Sequence, residues 1–274
     1  MIVFHTHCQL GNQMFIYACA QSLADKKNQT YCLSNLSDLK YFRLNKNERL
    51  VNKIKYLWFR ISSKIVKYKF NHFQDNRIDY SSKLINESYK RNWYYGYFQG
   101  ENYFYNNSKN IKKKFEIKPH YKTKFQKLKT QVIGDSKYAI VHIRLKDFKT
   151  FGPDFLAGPD LTLPLNYYHK MIEKIPNDYK VIFLSDDIQK IKEDFNYVKN
   201  AYFSNNSIIE DMQFIINANI CILSCSTFSW WGAWLNNTKN KKIYVPEFFL
   251  GFKVNNEFPI NIIPKNWIKI PVIK

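Results

Sequence analysis

Three stretches of apolar residues in the second half of the chain each end in a cluster of polar side chains. The stretches are short and rich in β-branched and aromatic residues, which predicts buried β-strands. In open α/β sheets, ligands bind at the carboxyl ends of the strands, so these clusters are candidates for one binding site. The clusters are His142, Arg144 and Asp147, then Ser185, Asp186 and Asp187, and finally Ser224, Ser226 and Thr227, with Ser229 close behind.

The residue types in these clusters suit a nucleotide diphosphate. Arg144 offers two parallel N–H donors to phosphate oxygens. Hydroxyl and backbone N–H groups from Ser226 to Ser229, at a predicted helix N-terminus, can hold a diphosphate. A carboxylate such as Asp187 can accept both donors on the edge of guanine, the N1–H and the exocyclic amine. The glycine-rich phosphate loop GxxxxGK[ST] does not occur in the sequence, so the predicted site is of another kind.

Each of these residues also has a purely structural interpretation. His142 alone is more often a core or capping histidine, and Arg144 with Asp147 could form an ordinary ion pair. Asp187, with its neighbour Asp186, could simply cap the helix predicted to begin at Ile188. The functional interpretation therefore rests on the joint pattern and not on any single member.

Three tryptophans follow the last cluster, in the segment STFSWWGAWL. Tryptophan is bulky and carries an N–H group that needs a partner, so this spacing is unusual for an ordinary core. We expect Trp230, Trp231 and Trp234 to pack a helix against the sheet and so to hold the serines rigidly. The alternative is that they line a channel for a sugar.

The elements that must position these residues alternate between strands and helices. Residues 1–5 predict a buried strand, residues 13–27 a helix and residues 30–34 a second strand. The same alternation occupies about 110 residues after Gly134, which predicts a second parallel sheet. We therefore predict two domains, 1–134 and 135–274, whose strand ends converge on a cleft. Gly11 and Asn12 lie in the first turn, where a glycine lets the backbone approach a phosphate or a sugar.

Residues 50–69 have helical periodicity with apolar side chains on one stripe and basic side chains on its flank. Ten Lys or Arg and two acidic residues lie between Asp38 and His72. An ordinary surface helix of the first domain is one interpretation. Docking on an anionic membrane face is the other.

The composition is that of a folded, basic protein of 274 residues, with 45% hydrophobic residues and 42 Lys or Arg against 22 acidic residues. A net charge of +20 attracts polyanions, although the many Lys and Asn residues also match a bias in genome composition. The basic residues cluster at 38–72 and 110–130, away from the polar strand ends, which argues against nucleic-acid readout. Five scattered cysteines, no secretory signal and no apolar run of 18 residues predict a cytoplasmic protein without a metal site.

Five motifs along the chain resemble those of the bacterial α-1,2-fucosyltransferases, glycosyltransferase family 11. They occur in the family's order and extend from Leu10 to Ile270, so the resemblance covers nearly the whole chain. The first and last motifs are specific in combination, whereas SDD alone is a weak signal. The motifs are LGNQMFIYACA, YYGYFQGENYF, HIRLKD, FLSDD and STFSWWGAWL, and the closing PKNWIKI is also similar.

The resemblance implies an α/β fold of the GT-B kind, with two Rossmann-like domains whose parallel sheets face each other across a cleft. The domain 1–134 would shape the acceptor side, and the domain 135–274 would bind GDP-L-fucose. The implied reaction is an inverting transfer of L-fucose to a glycan hydroxyl, by analogy O2 of a terminal galactose, without cofactor or metal. The implied setting is lipopolysaccharide O-antigen biosynthesis in the cytoplasm, with peripheral contact at the inner face of the membrane.

The resemblance also assigns roles to individual residues. The family's HxRRxD motif falls on residues 142–147, where the arginine would neutralise the diphosphate leaving group and the histidine would read guanine. The loop before the first helix would face the reacting sugar. The donor-binding set is Gly11, His142, Arg144, Asp187, Ser226, Thr227 and Ser229, and the catalytic set is Arg144, Asn12 and Asp147.

Two departures from the family pattern lie where the phosphates or the donor sugar should bind. Leu145 replaces the second arginine of HxRRxD, and Lys146 replaces the usual small residue after it. Cys8 and Gln9 stand where glycines usually precede LGNQ. These departures leave open a second function, transfer of a different sugar by the same fold, and a third, a scaffold without activity.

The sequence does not single out the base that would take the proton of the acceptor hydroxyl. Three carboxylates and two histidines near the predicted strand ends are candidates. They are Asp147, Asp154, Asp160, His5 and His7.

Overall fold

The computed structural model describes residues 1–44, 47–73, 77–86 and 91–273. The chain divides into unit 1, Met1–Lys118 with Pro259–Ile262, and unit 2, Pro119–Phe258 with Ile263–Lys274. The division therefore falls before the helix Pro119–Ile133 and not after residue 134 as predicted. The physical reason is packing, because Phe125 of this helix contacts Phe214 of unit 2, with ring centroids 4.9 Å apart.

Unit 1 is built on a parallel sheet of four strands within its described residues, in the order β2-β1-β4-β3. The first strand is apolar and completely buried, which explains its central position. The strands are β1 (Ile2–Phe4), β2 (Tyr31–Leu33), β3 (Lys69–Phe73) and β4 (Asn92–Gly96), and the helices are α1 (Leu10–Lys27), α2 (Glu48–Ser62), α3 (Ser81–Asn86) and α4 (Ser108–Lys114).

Helix α1 begins at Leu10, with Gln9 as the residue before its first turn. It ends where Asn28 adopts a left-handed conformation (φ 47°) and its backbone N–H bonds back to the last turn. Gly11 is thus a buried residue of the first helical turn and not a loop residue as predicted. The left-handed position lies earlier, at Cys8 (φ 62°), one of the two residues where the family resemblance leads us to expect a glycine.

Unit 2 is built on a parallel sheet of six strands within its described residues, in the order β10-β9-β8-β5-β6-β7. The strands are β5 (Tyr138–Ile143), β6 (Lys180–Ser185), β7 (Ala201–Phe203), β8 (Ile220–Ile222), β9 (Lys242–Pro246) and β10 (Ile268–Ile270), and the helices are α5 (Pro119–Ile133), α6 (Leu165–Ile172), α7 (Ile188–Asp194), α8 (Ile208–Ile216) and α9 (Thr227–Leu235).

The strand order of unit 2 reverses between β5 and β8. From β5 the chain first adds β6 and β7 on one side, and then β8, β9 and β10 on the other. This is the order of a Rossmann fold, in which ligands bind outside the carboxyl ends of the strands at the reversal. The topology therefore singles out the residues that follow β5 and β8.

Two strands carry sequence signals that the predicted alternation did not include. β3, KFNHF, alternates exposed and buried residues at its end, and β7, AYF, is followed by the turn residues Ser-Asn-Asn-Ser. Both are edge strands. An edge strand has only one neighbouring strand, so its sequence is less constrained toward buried β-branched residues.

Candidate functional site

Arg144 lies just after the carboxyl end of β5, where two carboxylates hold its guanidinium group. Its Nε donates to Oδ1 of Asp147 at 2.8 Å, and its Nη2 donates to Oδ2 at 2.7 Å. A third contact joins Nε to Oδ2 of Asp186 at 3.3 Å. The ion pair between Arg144 and Asp147 is therefore real and bidentate, a geometry that fixes the plane of the guanidinium.

Asp186 also fixes the backbone that carries Arg144. Its Oδ1 accepts the backbone N–H of Leu145 at 2.9 Å, and its Oδ2 accepts that of Lys146 at 3.1 Å. β5 and β6 are adjacent parallel strands, so the end of β6 presents this carboxylate to the loop that follows β5. Leu145, which stands where the family resemblance leads us to expect an arginine, is buried.

His142 and Ser224 connect the two strands at which the order reverses. Nδ1 of His142, on β5, lies 2.8 Å from Oγ of Ser224, which follows β8. Both side chains are buried. Burial, and second the charge of Arg144, lower the pKa of His142 to about 3, so the ring is neutral at physiological pH. A neutral imidazole can both donate and accept one hydrogen bond, which suits recognition of an uncharged edge.

Helix α9 begins at the same sheet edge, after β8. Ser226 precedes its first turn and makes no side-chain capping bond to it, and Thr227 is its first residue and is half-buried. The first N–H groups of a helix lack partners within the helix and attract anions. The backbone from Ser226 onward is therefore chemically suited to a diphosphate.

Ser229 does not have the place that the sequence predicted. Its side chain is fully buried, and its Oγ donates to the carbonyl of Ser226 at 3.1 Å. Because this hydroxyl closes the first turn of α9 inside the core, it shapes the turn and does not face a ligand. The prediction of a direct phosphate contact by Ser229 is corrected accordingly.

The tryptophans of α9 are packing residues, as expected. Trp230 and Trp231 have no exposed surface, and their ring centroids are 5.1 Å apart in an edge-to-face arrangement. Trp234 stacks on Trp230 at 6.1 Å, and Trp267 packs against Trp230 at 5.5 Å. This aromatic cluster fixes α9 in position and therefore fixes the N–H groups of its first turn.

Asp187 lies at the N-terminus of α7, and its side chain makes no capping hydrogen bond. The carboxylate instead lines a cavity of about 330 Å³ at the carboxyl ends of β6 and β7. Ser185, Lys146 and Gln189 are further lining residues. The cavity is polar, and its place beside the reversal of strand order is where a base attached to a diphosphate would extend.

The far wall of this cavity contains a carboxyl group that the sequence did not suggest. Asp211, on α8, accepts a hydrogen bond from the Ser204 hydroxyl, and Asn206 donates to the same hydroxyl at 2.8 Å. Burial raises the pKa of Asp211 to about 7, although the hydrogen bonds from Ser204 and Asn206 oppose this. The sequence signal for this wall of the cavity is the polar run Ser-Asn-Asn-Ser after β7. It was not recognised because β7 itself was not predicted.

In unit 1, the predicted residues lie at the N-terminus of α1. Asn12 presents its Oδ1 to the Gln99 side chain, which donates to it at 2.7 Å. Gln13 donates to the carbonyl of Cys8 at 3.0 Å and to Asp38 at 2.7 Å. The LGNQ motif thus forms the first turn of α1, which side-chain hydrogen bonds hold in place. In it Gly11 is buried and Asn12 is half-buried.

The carboxyl edge of the unit 1 sheet also carries a group of stacked rings. The imidazole of His7 stacks on Tyr95 at 4.7 Å and contacts Tyr97 edge-to-face at 4.7 Å. His5 and His72 contact Tyr95 at 5.1 and 5.3 Å. Both ring nitrogens of His7 are buried and have no hydrogen-bond partner among the described residues. Burial, and second the neighbouring His5, lower the pKa of His7.

Within residues 1–44, 47–73, 77–86 and 91–273, no group of three or more His, Cys, Asp or Glu side chains could hold a metal ion. No helix among those residues is long and apolar enough to cross a membrane.

Comparison with known proteins identifies relatives over almost the full length. The family model described as Glycosyl transferase family 11 matches residues 4–270. The O-antigen biosynthesis glycosyltransferase WbnK of Escherichia coli is 27% identical over 303 aligned positions, covering 95% of this chain and 97% of the relative. An alpha-1,2-colitosyltransferase of Escherichia coli is also 27% identical, covering 95% of this chain and 96% of the relative.

A solved structure has the same fold. The crystal structure of NodZ alpha-1,6-fucosyltransferase soaked with GDP-fucose matches with a TM-score of 0.54 and 13% identity, covering 88% of this chain and 96% of that one. At this identity the match shows the fold alone. The predicted fold class, α/β with two parallel-sheet units of the GT-B kind, is confirmed. The predicted cleft stays a prediction.

Replacing His142 by Gln is expected to make the stability of the protein less sensitive to acid. The folded pKa is about 3 against an ordinary value of 6.5, so wild type loses stability as the pH falls below about 6.5. The loss approaches about 1.4 kcal/mol per pH unit. The gap in free energy of unfolding between wild type and variant should therefore narrow from about pH 7.5 to about pH 5, as measured by urea unfolding. A constant gap, like that expected for the exposed His120→Gln control, would contradict the buried neutral imidazole.

Proposed function

The chain belongs to glycosyltransferase family 11, and from this premise we propose that it transfers L-fucose from GDP-L-fucose to a hydroxyl of a glycan. The single observation that carries the proposal is the joint placement of Arg144, Asp187 and Ser226 after three adjacent parallel strands. Adjacent strands are about 4.8 Å apart, so one nucleotide diphosphate can reach all three positions. The reaction proposed is inverting and uses no metal, and the acceptor position proposed is O2 of a terminal galactose.

The donor is proposed to bind to unit 2. The diphosphate lies against the first turn of α9, where Ser226 and Thr227 supply hydroxyl and N–H groups. The guanine base occupies the cavity beside β6 and β7, where Asp187 accepts its N1–H and its amine. The neutral His142 provides a further polar contact toward the nucleotide, directly or through the Ser224 hydroxyl.

Arg144 is proposed to stabilise the leaving group. As the bond between C1 of the sugar and the phosphate oxygen breaks, negative charge develops on the departing GDP. A preorganised guanidinium is more effective than a mobile one, because no reorganisation is needed during the reaction. Asp147 and Asp186 supply this organisation, so we assign Asp147 a positioning role and not the predicted catalytic one.

Unit 1 is proposed to supply the base, His7. As the acceptor oxygen bonds to C1, its proton passes to an imidazole nitrogen. Among the described residues, the buried ring nitrogens of His7 have no hydrogen-bond partner, and its lowered pKa keeps it neutral and ready to accept a proton. The three carboxylate candidates are engaged or exposed: Asp147 holds Arg144, Asp160 accepts the hydroxyl and N–H of Thr162 at 2.7 and 2.8 Å, and Asp154 is exposed. Asn12, which is half-buried, is proposed to face the transferred sugar, whereas the buried Gly11 shapes the first turn of α1.

The proposed setting is O-antigen biosynthesis in the cytoplasm. The relatives named above support the pathway, since one is an O-antigen biosynthesis glycosyltransferase. All five cysteines are free and four of them are buried, which is usual in a reducing compartment. A second candidate donor is GDP linked to colitose, because another relative is an alpha-1,2-colitosyltransferase. Product masses with GDP-L-fucose and GDP-colitose as alternative donors separate the two.

GDP is expected to raise the melting temperature more than UDP, ADP or CMP at equal concentration. The reason is that Asp187 pairs with two donors that only guanine presents together. Asp187→Asn should weaken GDP binding about tenfold or more, since it replaces a charge-assisted pair by a mismatched amide. The exposed Asp178→Asn is the matched control. Equal stabilisation by ADP, or unchanged GDP affinity in Asp187→Asn, would remove guanine recognition from this cavity.

Arg144→Ala is expected to lower kcat about 100-fold or more, because one strong contact to developing charge is lost. Arg144→Lys should recover only part of the rate, since a point charge replaces the two-pronged donor. The matched control is Arg43→Ala, because Arg43 forms an exposed ion pair with Glu116 at 2.9 Å in unit 1. Steady-state rates for the three variants test the assignment, and near-normal turnover of Arg144→Ala would refute it.

His7→Asn is expected to lower kcat and to remove the acid limb of the pH–rate profile. The pKa of His7 is lowered by burial, so the wild-type rate should fall only at a pH below the ordinary range of histidine, where the base becomes protonated. His120→Asn, at an exposed position, should leave the profile unchanged. If His7→Asn retains the same acid limb at reduced rate, another group is the base.

A further inference from the structure

Helix α2 of unit 1 exposes its apolar side chains instead of burying them. The periodic stripe predicted from the sequence is present, but Ile54, Leu57 and Trp58 are 60%, 61% and 59% exposed. A surface helix of a water-soluble domain normally turns this stripe toward the core. The exposed members on α2 and just after it are Leu50, Val51, Ile54, Leu57, Trp58, Ile61 and Ile65, here called the outer face of α2.

The helix is nevertheless firmly attached, through its opposite side. The side chain of Asn52 is buried and bonds both the N–H and the carbonyl of Leu33, each at 2.8 Å. Phe59 packs into a cluster with Val3 and Cys32, and its ring lies 5.6 Å from that of Trp93. Rotating α2 to bury the outer face would break these contacts. The exposure therefore belongs to the folded unit.

The surface around the outer face is strongly basic. Residues 47–73 contain seven Lys or Arg and one acid, Glu48. Glu48 is not available to balance them, because its carboxylate accepts hydrogen bonds from the hydroxyls of Tyr17 and Tyr31 at 2.7 and 2.8 Å. Arg49, Lys53 and Arg60 are exposed and follow one flank of the apolar stripe. Within residues 47–73 the surface thus combines apolar and cationic groups, and its one acidic residue is engaged with the two tyrosines.

We propose that the outer face of α2 docks on an anionic lipid bilayer. Its apolar side chains enter the boundary between headgroups and acyl chains, where a tryptophan ring is favoured. The basic flank lies level with the lipid phosphates, and each such residue adds attraction to an anionic surface. The helix lies in the plane of the interface and does not cross it.

Charge decides between a bilayer and a second copy of this chain. Self-association through one face places the same surface on both partners, so the basic flanks would add to each other's charge. The whole chain carries a formal charge of +20, which opposes that association further. An anionic bilayer removes both obstacles. This proposal does not depend on which sugar or nucleotide unit 2 binds.

Vesicle flotation tests the proposal on the full chain. We expect binding to vesicles of phosphatidylcholine with phosphatidylglycerol, weaker binding to phosphatidylcholine alone, and release as the salt concentration rises. The triple variant Leu50→Gln, Ile54→Gln, Leu57→Gln should lose about tenfold or more in binding. Glutamine has nearly the helix propensity of leucine, so α2 itself should persist. The matched control places glutamine at three exposed apolar positions of unit 2, Val254, Ile268 and Ile273.

Tryptophan fluorescence locates the contact. All six tryptophans lie in the described residues, and of these only Trp58 is exposed. We therefore expect a blue shift of the emission on vesicle binding and quenching by lipids brominated on their acyl chains. Trp58→Phe should abolish both signals while vesicle binding persists. The melting temperatures of Trp58→Phe and of the triple variant, measured with and without GDP, verify that both units remain folded.

Three results would overturn the proposal. The first is a wild-type protein that does not bind anionic vesicles at low salt. The second is vesicle binding that is equal in the triple variant and the control. The third is a wild-type dimer, by light scattering, that becomes monomeric in the triple variant while neither form binds vesicles, because the outer face would then be covered by a second copy.

Discussion

The arrangement of the candidate site depends on the contacts that the carboxylate of Asp186 makes. It accepts two consecutive backbone N–H groups after β5 and also contacts the Arg144 guanidinium. Because Asp186 follows the neighbouring strand β6, the pairing of β5 with β6 places it opposite that loop. Without this carboxylate the backbone N–H of Leu145, a buried residue, would lose its partner, which is costly. The pairing of β5 with β6 thus determines the position of the Arg144 guanidinium group.

A second constraint fixes the side of the same edge that is proposed to bind the diphosphate. The N-terminus of α9 is only as well placed as the helix itself, and α9 is packed through Trp230 and Trp231, which have no exposed surface. Ser229 contributes from inside by bonding the Ser226 carbonyl. The large aromatic side chains therefore serve function through rigidity, since a helix N-terminus attracts anions only where its N–H groups are held in a fixed direction.

Unit 1 combines a rigid sheet edge with an unusual surface. Helix α2 is attached by Asn52 and Phe59, whereas its apolar stripe is exposed between basic side chains. The same sheet carries the stacked rings of His7, Tyr95 and Tyr97 at its carboxyl edge. Unit 1 thus holds both the helix proposed to dock on a bilayer and the histidine proposed as the base, and the two features can be tested separately.

The sequence determined the class of fold and most of the candidate site. Alternating apolar strands and helices predicted two parallel sheets, and polar residues after the strands marked Arg144, Asp187 and Ser226. Periodicity is a local property, so these inferences needed no tertiary contact. The predicted alternation did not include β7, an edge strand whose sequence is less constrained toward buried β-branched residues, and it therefore missed Ser204 and Asp211, which follow it.

Only the tertiary structure decided which faces are buried and which polar groups are already paired. The stripe of α2 has the same periodicity whether it faces core or solvent, and Asn52 with its two bonds to Leu33 decided the matter. Ser229 and Ser226 look alike in the sequence, but one hydroxyl closes a buried turn while the other residue begins the helix. The burial of a side chain and the hydrogen-bond partners of a polar group depend on residues that are distant in the chain. A sequence pattern describes only residues that are near each other in the chain.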